Sequence, residues 1–590
     1  MATTAAGPRL SAPWLLGIAA VLLATLPLFK LPAFYESFLY LILHWIALAT
    51  SWNILSGYSG YFSFGHGAFF GLGMYTTGVL SGKLDWPFLA TLPVAALVAA
   101  LFGIGLGAVV FRVGRLRGEL FALITLAVTF VIATIAVNTP IDGGPGVYLS
   151  SVPVPTLGNL ASSSTFYLLA LIVAFATLFI AYYTQRAKLG LGLFAIHDDE
   201  DAAEVMGVPT YRYKLIAFGI SCGLAGIVGG IHAVFVSYVT VSETFSILVP
   251  LYVVLMSVLG GTRHWLGPAL GAAIVTVLLF AFTGGEYAVL GRAVVGLILV
   301  VVILFLPNGV LGALLSRFKT KTPITDPIVV EPRTALAPTT TGVKDEVLLQ
   351  ATGVSKSFQG VRALDNVSFD IRRGEILGLV GPNGSGKSTF INCVSGHYRA
   401  TSGRIEFGGV DIAGLPAHRI AQRGIARTYQ IPRPFPHLSV LDNVTLTAMF
   451  GETTFNRRAA EAEAMHWLAF AGLADKARSL PSDLNLHERK FLEMARALAS
   501  RPSLVLLDEV LSGLTPSEID DAIRLIRSLR DQGATIVFVE HVMRAVTALS
   551  DRIAVLNQGK LIAIGDPRAV MRDPEVVRGY LGQAEGAAHA

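Results

Sequence analysis

Long apolar runs occupy most of the first 307 residues of this 590-residue chain. A bilayer core requires about 20 apolar residues per helix, and several successive runs approach that length. They are residues 12–29, 38–55, 63–80, 87–111, 120–137, 166–183, 215–235, 245–259, 266–282 and 289–306. With 53% hydrophobic and 14% charged residues, the chain is too apolar for an ordinary soluble enzyme. The sequence therefore predicts a polytopic α-helical membrane domain of about ten spans.

Basic residues between the apolar runs predict the orientation of these spans, because cytoplasmic loops are enriched in lysine and arginine. A cytoplasmic N-terminus and ten spans place the basic clusters inside and the nearly uncharged segment 141–164 outside. The clusters contain Arg112, Arg115, Arg117, Arg186, Lys188, Arg263, Arg317 and Lys319. A re-entrant segment near residues 59–64 would change the count. Basic residues in the loops that flank the predicted spans thus explain the net charge of +5, and binding of nucleic acid is not predicted.

A glycine-rich stretch interrupts the apolar pattern at residues 57–67. Gly57, Gly60, Gly65 and Gly67 favour a broken helix, and broken helices can line a substrate path in transporters. His66 lies within this stretch and is a candidate for the substrate path. A histidine that is hydrogen-bonded inside a helix bundle would serve packing equally well, so both interpretations stay open.

One predicted cytoplasmic loop, residues 195–207, has the pattern of a short helix. Asp198, Asp199 and Glu200 lie where the helix dipole favours negative charge, and Gly207 is placed to end the helix. Ala203 belongs to a small apolar surface on it. A solvated amphipathic turn would explain this pattern. We favour a coupling helix that contacts an ATPase domain, because energy must pass from the nucleotide to the membrane.

Composition divides the chain into three parts. Residues 1–315 form the predicted transmembrane permease domain. Residues 316–345 are rich in proline and threonine and resemble a flexible tether. Residues 346–590 have the mixed composition of a globular domain, and this part carries the nucleotide motifs.

A phosphate-binding loop pattern, glycine followed by four residues and Gly-Lys-Ser, lies between a predicted strand at 375–380 and a predicted helix at 389–395. Its residues are Gly381, Pro382, Asn383, Gly384, Ser385, Gly386, Lys387, Ser388 and Thr389. In such a loop, backbone N–H groups and a helix N-terminus surround the phosphates. Lys387 would reach the β and γ phosphates, and the Ser388 hydroxyl would bind Mg²⁺. The pattern predicts binding of ATP or GTP.

Two further predicted strands end in residues suited to nucleotide hydrolysis. Residues 504–507 lead into Asp508, which would hold Mg²⁺, and Glu509, which would polarise the attacking water. Residues 534–539 lead to His541, which could contact the γ-phosphate.

Together these motifs resemble the ATP-binding cassette superfamily over about residues 347–582. The resemblance predicts an α/β P-loop domain that uses ATP and Mg²⁺. It implies that Phe358 stacks on adenine and that Gln430 contacts metal and water and faces the coupling helix. It also places Asp508 on Mg²⁺ with Ser388 and Gln430, Glu509 as catalytic base and His541 as switch residue. Residues 512–515 resemble the loop that faces the second subunit.

The signature segment departs from the superfamily, which has Leu-Ser-Gly-Gly-Gln at this point. This chain has Leu484, Asn485, Leu486, His487 and Glu488. Both glycines are missing, although Asn485 can form hydrogen bonds. Either backbone contacts preserve the second half of the ATP site, or this chain supplies a weakened half-site to a partner.

The first half resembles the permease subunits of branched-chain amino acid uptake transporters at residues 55–71, 198–207 and 256–261. Residues 573–575 and 580–582 resemble the matching ATPase subunit. This implies an ATP-driven importer, made of a permease fused to an ATPase, in the bacterial cytoplasmic membrane with its nucleotide-binding domain in the cytoplasm. The implied partners are a second, identical or homologous permease/ATPase chain and an extracytoplasmic solute-binding protein.

The substrate stays open at this point. Branched-chain or related amino acids or amides are the first expectation, and urea, short amides or aromatic acids are alternatives within the same transport class. A membrane-anchored regulatory ATPase that transports nothing is an alternative of another class. Polar or glycine-broken spans favour transport.

Overall fold

A computed structural model describes residues 12–113, 118–142, 144–156, 160–283, 308–318 and 346–581, and a few separate positions between 293 and 306. The chain divides into two compact units. One comprises Met1–His197 and Thr210–Thr322, and the other comprises Asp198–Pro209 and Pro323–Ala590. The predicted tether at 316–345 falls almost entirely outside the described residues.

The first unit is helical. Its elements are α1 (Ala12–Ala24), a 3₁₀ turn (Leu26–Phe29), α2 (Ala33–Ser59), α3 (His66–Gly82), α4 (Phe88–Val110), α5 (Glu119–Val137), α6 (Ser162–Arg186), α7 (Lys188–Val205, which continues into the second unit), α8 (Thr210–Val236), α9 (Val241–Thr244), α10 (Leu248–Gly260), α11 (Gly267–Thr283) and α12 (Gly309–Phe318). Two short antiparallel strands, β1 (Val147–Tyr148) and β2 (Tyr238–Val239), pair between them.

Nine of the predicted apolar runs coincide with helices, whereas most of the tenth, 289–306, lies outside the described residues. Among the described residues, six helices are long and apolar enough to cross a membrane, so the expected count of about ten is not confirmed. Several of the predicted runs form shorter helices. The helix α3, for example, has 17 residues, because the chain before His66 is not helical.

The glycine-rich interruption between α2 and α3 is present. The helix α2 ends at Ser59, and Gly60 has a φ of +74°, a conformation that favours glycine. The Trp52 indole N–H donates to the Ser63 carbonyl over 2.7 Å and holds the non-helical segment against α2. Glycines also allow close helix packing, since a Cβ on Gly73 of α3 would lie 2.1 Å from the Gly226 carbonyl of α8.

The second unit contains two sheets. A six-stranded sheet has the order β12-β11-β5-β10-β9-β8, and a four-stranded antiparallel sheet has the order β4-β3-β6-β7. The strands are β3 (Val347–Phe358), β4 (Val361–Arg372), β5 (Ile376–Val380), β6 (Ser402–Phe407), β7 (Val410–Asp411), β8 (Ile425–Arg427), β9 (Leu504–Asp508), β10 (Thr535–Val539), β11 (Arg552–Asn557) and β12 (Lys560–Gly565).

Helices surround these sheets. They are α13 (Lys387–Val394), α14 (Ala417–Ala421), α15 (Val440–Phe450), α16 (Arg457–Phe470), α17 (Leu486–Ala499), α18 (Pro516–Asp531), α19 (Met543–Leu549), α20 (Pro567–Val570) and α21 (Pro574–Leu581), with 3₁₀ turns at Ala474–Lys476 and Pro481–Asp483.

The central strands β5, β9 and β10 are fully buried and pair in parallel. Continuous apolar runs are typical of parallel strands that helices cover on both faces. Because parallel strands end at the same edge of a sheet, the loops that follow these three strands meet there. These loops carry the three nucleotide motifs.

Candidate nucleotide-binding and coupling site

The phosphate loop has a backbone that only glycine adopts easily at several positions. The φ angles of Gly381, Gly384 and Gly386 are +152°, +79° and +104°. A Cβ on Gly381 would lie 2.1 Å from the Leu556 carbonyl oxygen, and one on Gly386 would lie 2.6 Å from the Ala363 carbonyl oxygen. The loop therefore needs glycine both for its conformation and for its close packing.

Lys387 is the first residue of α13, and its ammonium group lies within the loop. It donates to the carbonyl oxygens of Gly381 over 2.8 Å and Pro382 over 3.0 Å. Burial lowers the pKa of Lys387, while the carboxylates of Glu509 and Asp508 act in the opposite direction. A buried, positively charged side chain at the N-terminus of a helix is suited to a polyphosphate.

Asp508 ends β9 and is buried. Burial raises the pKa of its carboxyl, and the charges of Arg427 and Lys387 partly oppose that effect. Its Oδ2 lies 3.7 Å from the guanidinium of Arg427, whereas its Oδ1 has no hydrogen-bond partner among the described residues. Since buried carboxylate oxygens are normally paired, this oxygen fits a cation. The Ser388 hydroxyl and the Gln430 amide oxygen belong to the same hard-ligand class, so the donor set fits Mg²⁺.

Glu509 follows Asp508 in a left-handed conformation with a φ of +49°, which is uncommon for a non-glycine residue. Its N–H donates to the Val539 carbonyl over 2.9 Å, which ties the end of β9 to β10. Its Oε2 accepts a hydrogen bond of 2.5 Å from the Gln430 side-chain amide. The carboxylate is thereby held at the cleft rather than in the core.

His541 follows β10 and has an exposed side chain. Its neighbour Glu540 is buried, and its Oε1 accepts a hydrogen bond of 2.7 Å from the Leu511 backbone N–H. Burial raises the pKa of Glu540, while that hydrogen bond and the charge of His541 oppose the rise. Glu540 therefore links the loop after β10 to the loop after β9.

Many of these groups line one cleft of about 570 Å³, although Gly381, Pro382 and Asp508 are not part of its lining. It is lined by Ala363, Asn383, Gly384, Ser385, Gly386, Lys387, Ser388, Thr389, Gln430, Glu509 and His541. Most of the predicted nucleotide and catalytic residues are thus brought together. Phe358 lies outside this lining set, where its ring stands 5.1 Å from that of Tyr398, and the Lys356 ammonium lies 4.9 Å from the Phe358 ring centre.

The signature-like segment forms the start of α17. The Asn485 side chain accepts a hydrogen bond of 2.8 Å from the Glu488 N–H, and the Glu488 carboxylate accepts one of 3.0 Å from the Asn485 N–H. This is a capping box, and both side chains are used by their own helix. The His487 ring lies 4.3 Å from the Phe491 ring, and Leu486 is half exposed. Leu484 is buried.

The acidic loop is part of the second unit from Asp198 onward. Asp199 interrupts the helix α7 with φ −157° and ψ 104°, and its Oδ1 accepts a hydrogen bond of 2.9 Å from the Ala202 N–H. The helix then continues through Glu200 and the buried Ala203 and ends at Val205, and Gly207 follows with a φ of +93°. A new helical turn with its own cap explains why the acids stand at its N-terminus.

Four side chains of the cassette hold this loop. His437 contacts Asp198 with a Nδ1–Oδ1 distance of 2.5 Å. His418 contacts Glu204 over 3.3 Å. Arg433 lies 3.5 Å from Asp199, and the Gln422 amide donates to the Gly207 carbonyl over 3.0 Å. A Cβ on Gly207 would lie 2.5 Å from the Phe450 carbonyl oxygen, so the loop packs closely there.

The sequence does not predict the four cassette residues that contact the acidic loop. They carry no local motif, and more than two hundred positions separate them from the loop in sequence.

His66, the predicted substrate-path residue, is buried, and its Nε2 lies 2.9 Å from the Ser51 hydroxyl. This contact is of the kind expected for a packed histidine.

Comparison with known proteins agrees with both halves of this architecture. A family model described as the permease component of branched-chain amino acid transport systems matches residues 34–303, and one described as ABC transporter matches residues 364–512. The high-affinity branched-chain amino acid transport ATP-binding protein BraF of Pseudomonas aeruginosa is 35% identical over 251 residues. The match spans 40% of this chain and 98% of that protein.

The chain belongs to the ABC transporter family. It joins a permease domain to an ABC ATPase domain in one polypeptide. LivG of Salmonella typhimurium, named as an ATP-binding protein of the same kind of system, is 38% identical over 251 residues, with 40% of this chain and 98% of that protein matched. A probable LivG of Archaeoglobus fulgidus is 36% identical over 245 residues, matching 40% of this chain and 95% of that protein.

Among solved structures, a nucleotide-free ATP-binding cassette from an ABC transporter is similar to this transporter chain at 29% identity. The match covers 40% of this chain and 99% of the solved chain, with a TM-score of 0.37.

Proposed function

We propose that this ABC transporter imports branched-chain or related small amino acids across the bacterial cytoplasmic membrane and uses ATP hydrolysis in the cleft of the second unit. It acts as a half-transporter with residues 1–315 as permease, 316–345 as tether and 346–590 as ATPase domain. A second, identical or homologous permease/ATPase chain completes it, and an extracytoplasmic binding protein delivers the solute.

One observation carries the proposal. The cleft that contains Lys387 and Glu509 and the acidic loop from the permease half of the sequence belong to one compact unit. Gln430 contacts Glu509, and His437, seven residues later, contacts Asp198. A conformational change at the cleft can therefore be passed to the acidic loop through residues 430–437.

The geometry supports the following roles within the cleft. Backbone N–H groups of the loop 383–389 and the Lys387 ammonium bind the phosphates, and Ser388, Gln430 and Asp508 hold Mg²⁺, which would neutralise charge on the phosphates. Glu509 orients the water and accepts its proton, and Gln430 keeps that carboxylate in position. His541, exposed at the edge of the cleft, contacts the terminal phosphate, and Phe358 lies beside the base.

Transport by reconstituted vesicles tests this proposal. The complete complex, purified with whatever chains accompany it and supplied with binding protein outside and ATP inside, should accumulate L-leucine or L-isoleucine. Native mass measurement of the same sample gives the partner composition. Accumulation of urea or benzoate in place of amino acids would contradict the substrate, and ATP hydrolysis with no accumulation of any of these solutes would contradict import.

A further inference from the structure

A cavity of about 220 Å³ lies within the first unit, between α2, α3, α8 and residues 238–249. None of the nucleotide roles uses it. One side of the cavity is apolar and is formed by Trp45, Phe70 and Met74 among others. Apolar walls combined with a few convergent polar groups are typical of a small-molecule site.

Two polar groups that line the cavity are buried. His44 is 5% exposed, and its ring packs 4.4 Å from that of His232 without a hydrogen bond to its nitrogens within the described residues. The hydroxyl of Thr244, which is 3% exposed, also has none. Buried polar groups are nearly always paired, so both hydrogen-bonding groups are available to a bound molecule.

His232 provides a useful contrast on the same cavity wall. Its Nδ1 lies 3.0 Å from the Tyr40 hydroxyl, and its ring stacks on Phe235. The Nδ1 of this histidine is already used in a hydrogen bond. The hydrogen-bonding groups open to a ligand are therefore on the side formed by His44 and Thr244.

The charge of the lining selects the class of ligand. Glu243 is the one charged residue in the described lining, and it is exposed. A carboxylate favours a ligand with an ammonium group and repels a simple anion. Imidazole and hydroxyl groups can donate to a carboxylate. The apolar wall accommodates a hydrocarbon side chain, which urea does not have.

We propose that this cavity is the solute site of the permease domain and binds a zwitterionic amino acid with an apolar side chain. The α-ammonium group faces Glu243, the α-carboxylate accepts hydrogen bonds from His44 and Thr244, and the side chain lies against Trp45, Phe70 and Met74. This inference rests on the proposed import of small amino acids and adds the place and the manner of recognition.

Equilibrium binding to the full-length complex tests the site directly. Tritiated L-leucine is the probe, 4-methylpentanoate is the competitor without the amine, and isoamylamine is the competitor without the carboxylate. We expect saturable binding of leucine, with each competitor at least about tenfold weaker, because 4-methylpentanoate cannot pair with Glu243 and isoamylamine cannot accept hydrogen bonds from His44 and Thr244. Absence of leucine binding, or equally tight binding of 4-methylpentanoate, would overturn the proposal.

Matched variants separate the cavity from general effects on the fold. Thr244→Val and Glu243→Gln should each raise the Kd for leucine at least about tenfold. Thr165→Val removes an equally buried, unpartnered hydroxyl outside the cavity lining, and Glu119→Gln removes an exposed carboxylate elsewhere. Both controls should stay within about twofold of the unmodified chain. An unchanged Kd in the cavity variants would refute the site.

Failure of this inference and failure of the proposed function give different results. If the unmodified complex accumulates leucine and the cavity variants accumulate it with the same KM, the site is wrong and import stands. If leucine binds and the variants weaken its binding while no amino acid accumulates, the site stands and import fails.

Discussion

The carboxylate of Asp198 binds His437 through both of its oxygens. Oδ1 lies 2.5 Å from the imidazole Nδ1, and Oδ2 accepts a hydrogen bond of 3.1 Å from the backbone N–H. The side chain of Asp198 is 2% exposed, whereas that of His437 is 48% exposed. Hydrogen bonds to an ionised carboxylate are stronger than those between neutral groups. Asp198 is therefore a principal anchor of the loop on the cassette.

Gly207→Ala should weaken the docking of this loop. A left-handed φ costs a non-glycine residue about 1–2 kcal/mol, and the new Cβ would lie 2.5 Å from the Phe450 carbonyl oxygen. We expect fewer solute molecules transported per ATP hydrolysed, measured in vesicles. Gly414→Ala is the matched control, because a Cβ there would contact nothing within 4 Å. Equal ratios in both variants would contradict the role of the tight turn.

Glu509→Gln should retain ATP binding and lose hydrolysis, since the amide can still accept a hydrogen bond but cannot take a proton from water. We expect a fall in the ATPase rate of at least about a hundredfold, in line with loss of a general base. Binding of a fluorescent ATP analogue and the phosphate release rate give the two readouts. Glu461→Gln, on the exposed part of α16, should leave both unchanged. Hydrolysis that persists in Glu509→Gln would exclude this residue as the base.

Asn485→Ala should remove the N-cap of α17 at a cost of about 1 kcal/mol. Asn456 caps α16 in the same way, with its side chain accepting from the Ala459 N–H over 3.0 Å. Both alanine variants should melt at a lower temperature. Only Asn485→Ala should also change the ATPase rate, because α17 carries the signature-like segment. A parallel effect of both variants on the ATPase rate would assign Asn485 a structural role alone.

Glu540→Gln should change how stability depends on pH. Burial raises the pKa of this carboxyl in the folded chain, so its protonated form is favoured there. Stability contributed by the bound proton is present below the unfolded pKa and is lost as the pH rises through the folded pKa, by about 1.4 kcal/mol for each unit of displacement. The glutamine variant lacks this loss. Its melting temperature relative to the unmodified chain should therefore rise as the pH increases above the unfolded pKa of a glutamate, about 4.3, and a constant difference would contradict the assignment.

The nucleotide cleft was largely predictable because its signals are local. An apolar strand, a glycine-rich turn and a helix start occur in one short stretch around Lys387. The predicted helix start at Thr389 was two residues late, since the left-handed Gly386 already serves as the N-cap of α13. Acids that follow apolar strands could likewise be placed at one sheet edge before the pairing of the strands was known.

The rest could not be predicted, because it depends on contacts distant in sequence. His437 and Asp198 are 239 positions apart, and neither sequence neighbourhood indicates the other. The glycine-rich surroundings of His66 predict a place in the substrate path, yet His66 contacts Ser51, whereas His44, in an ordinary helical run, lines the cavity. The signature segment showed the missing glycines but not that Asn485 and Glu488 cap their own helix.

The most direct test of the coupling between cleft and permease is the number of leucine molecules accumulated per ATP hydrolysed, compared between the unmodified transporter and Asp198→Ala. Asp475→Asn, at an exposed position of the cassette, serves as the control. Loss of the two contacts to His437 should lower this ratio at least about tenfold. ATP binding should be retained and the control ratio unchanged. An unchanged ratio in Asp198→Ala would contradict the account.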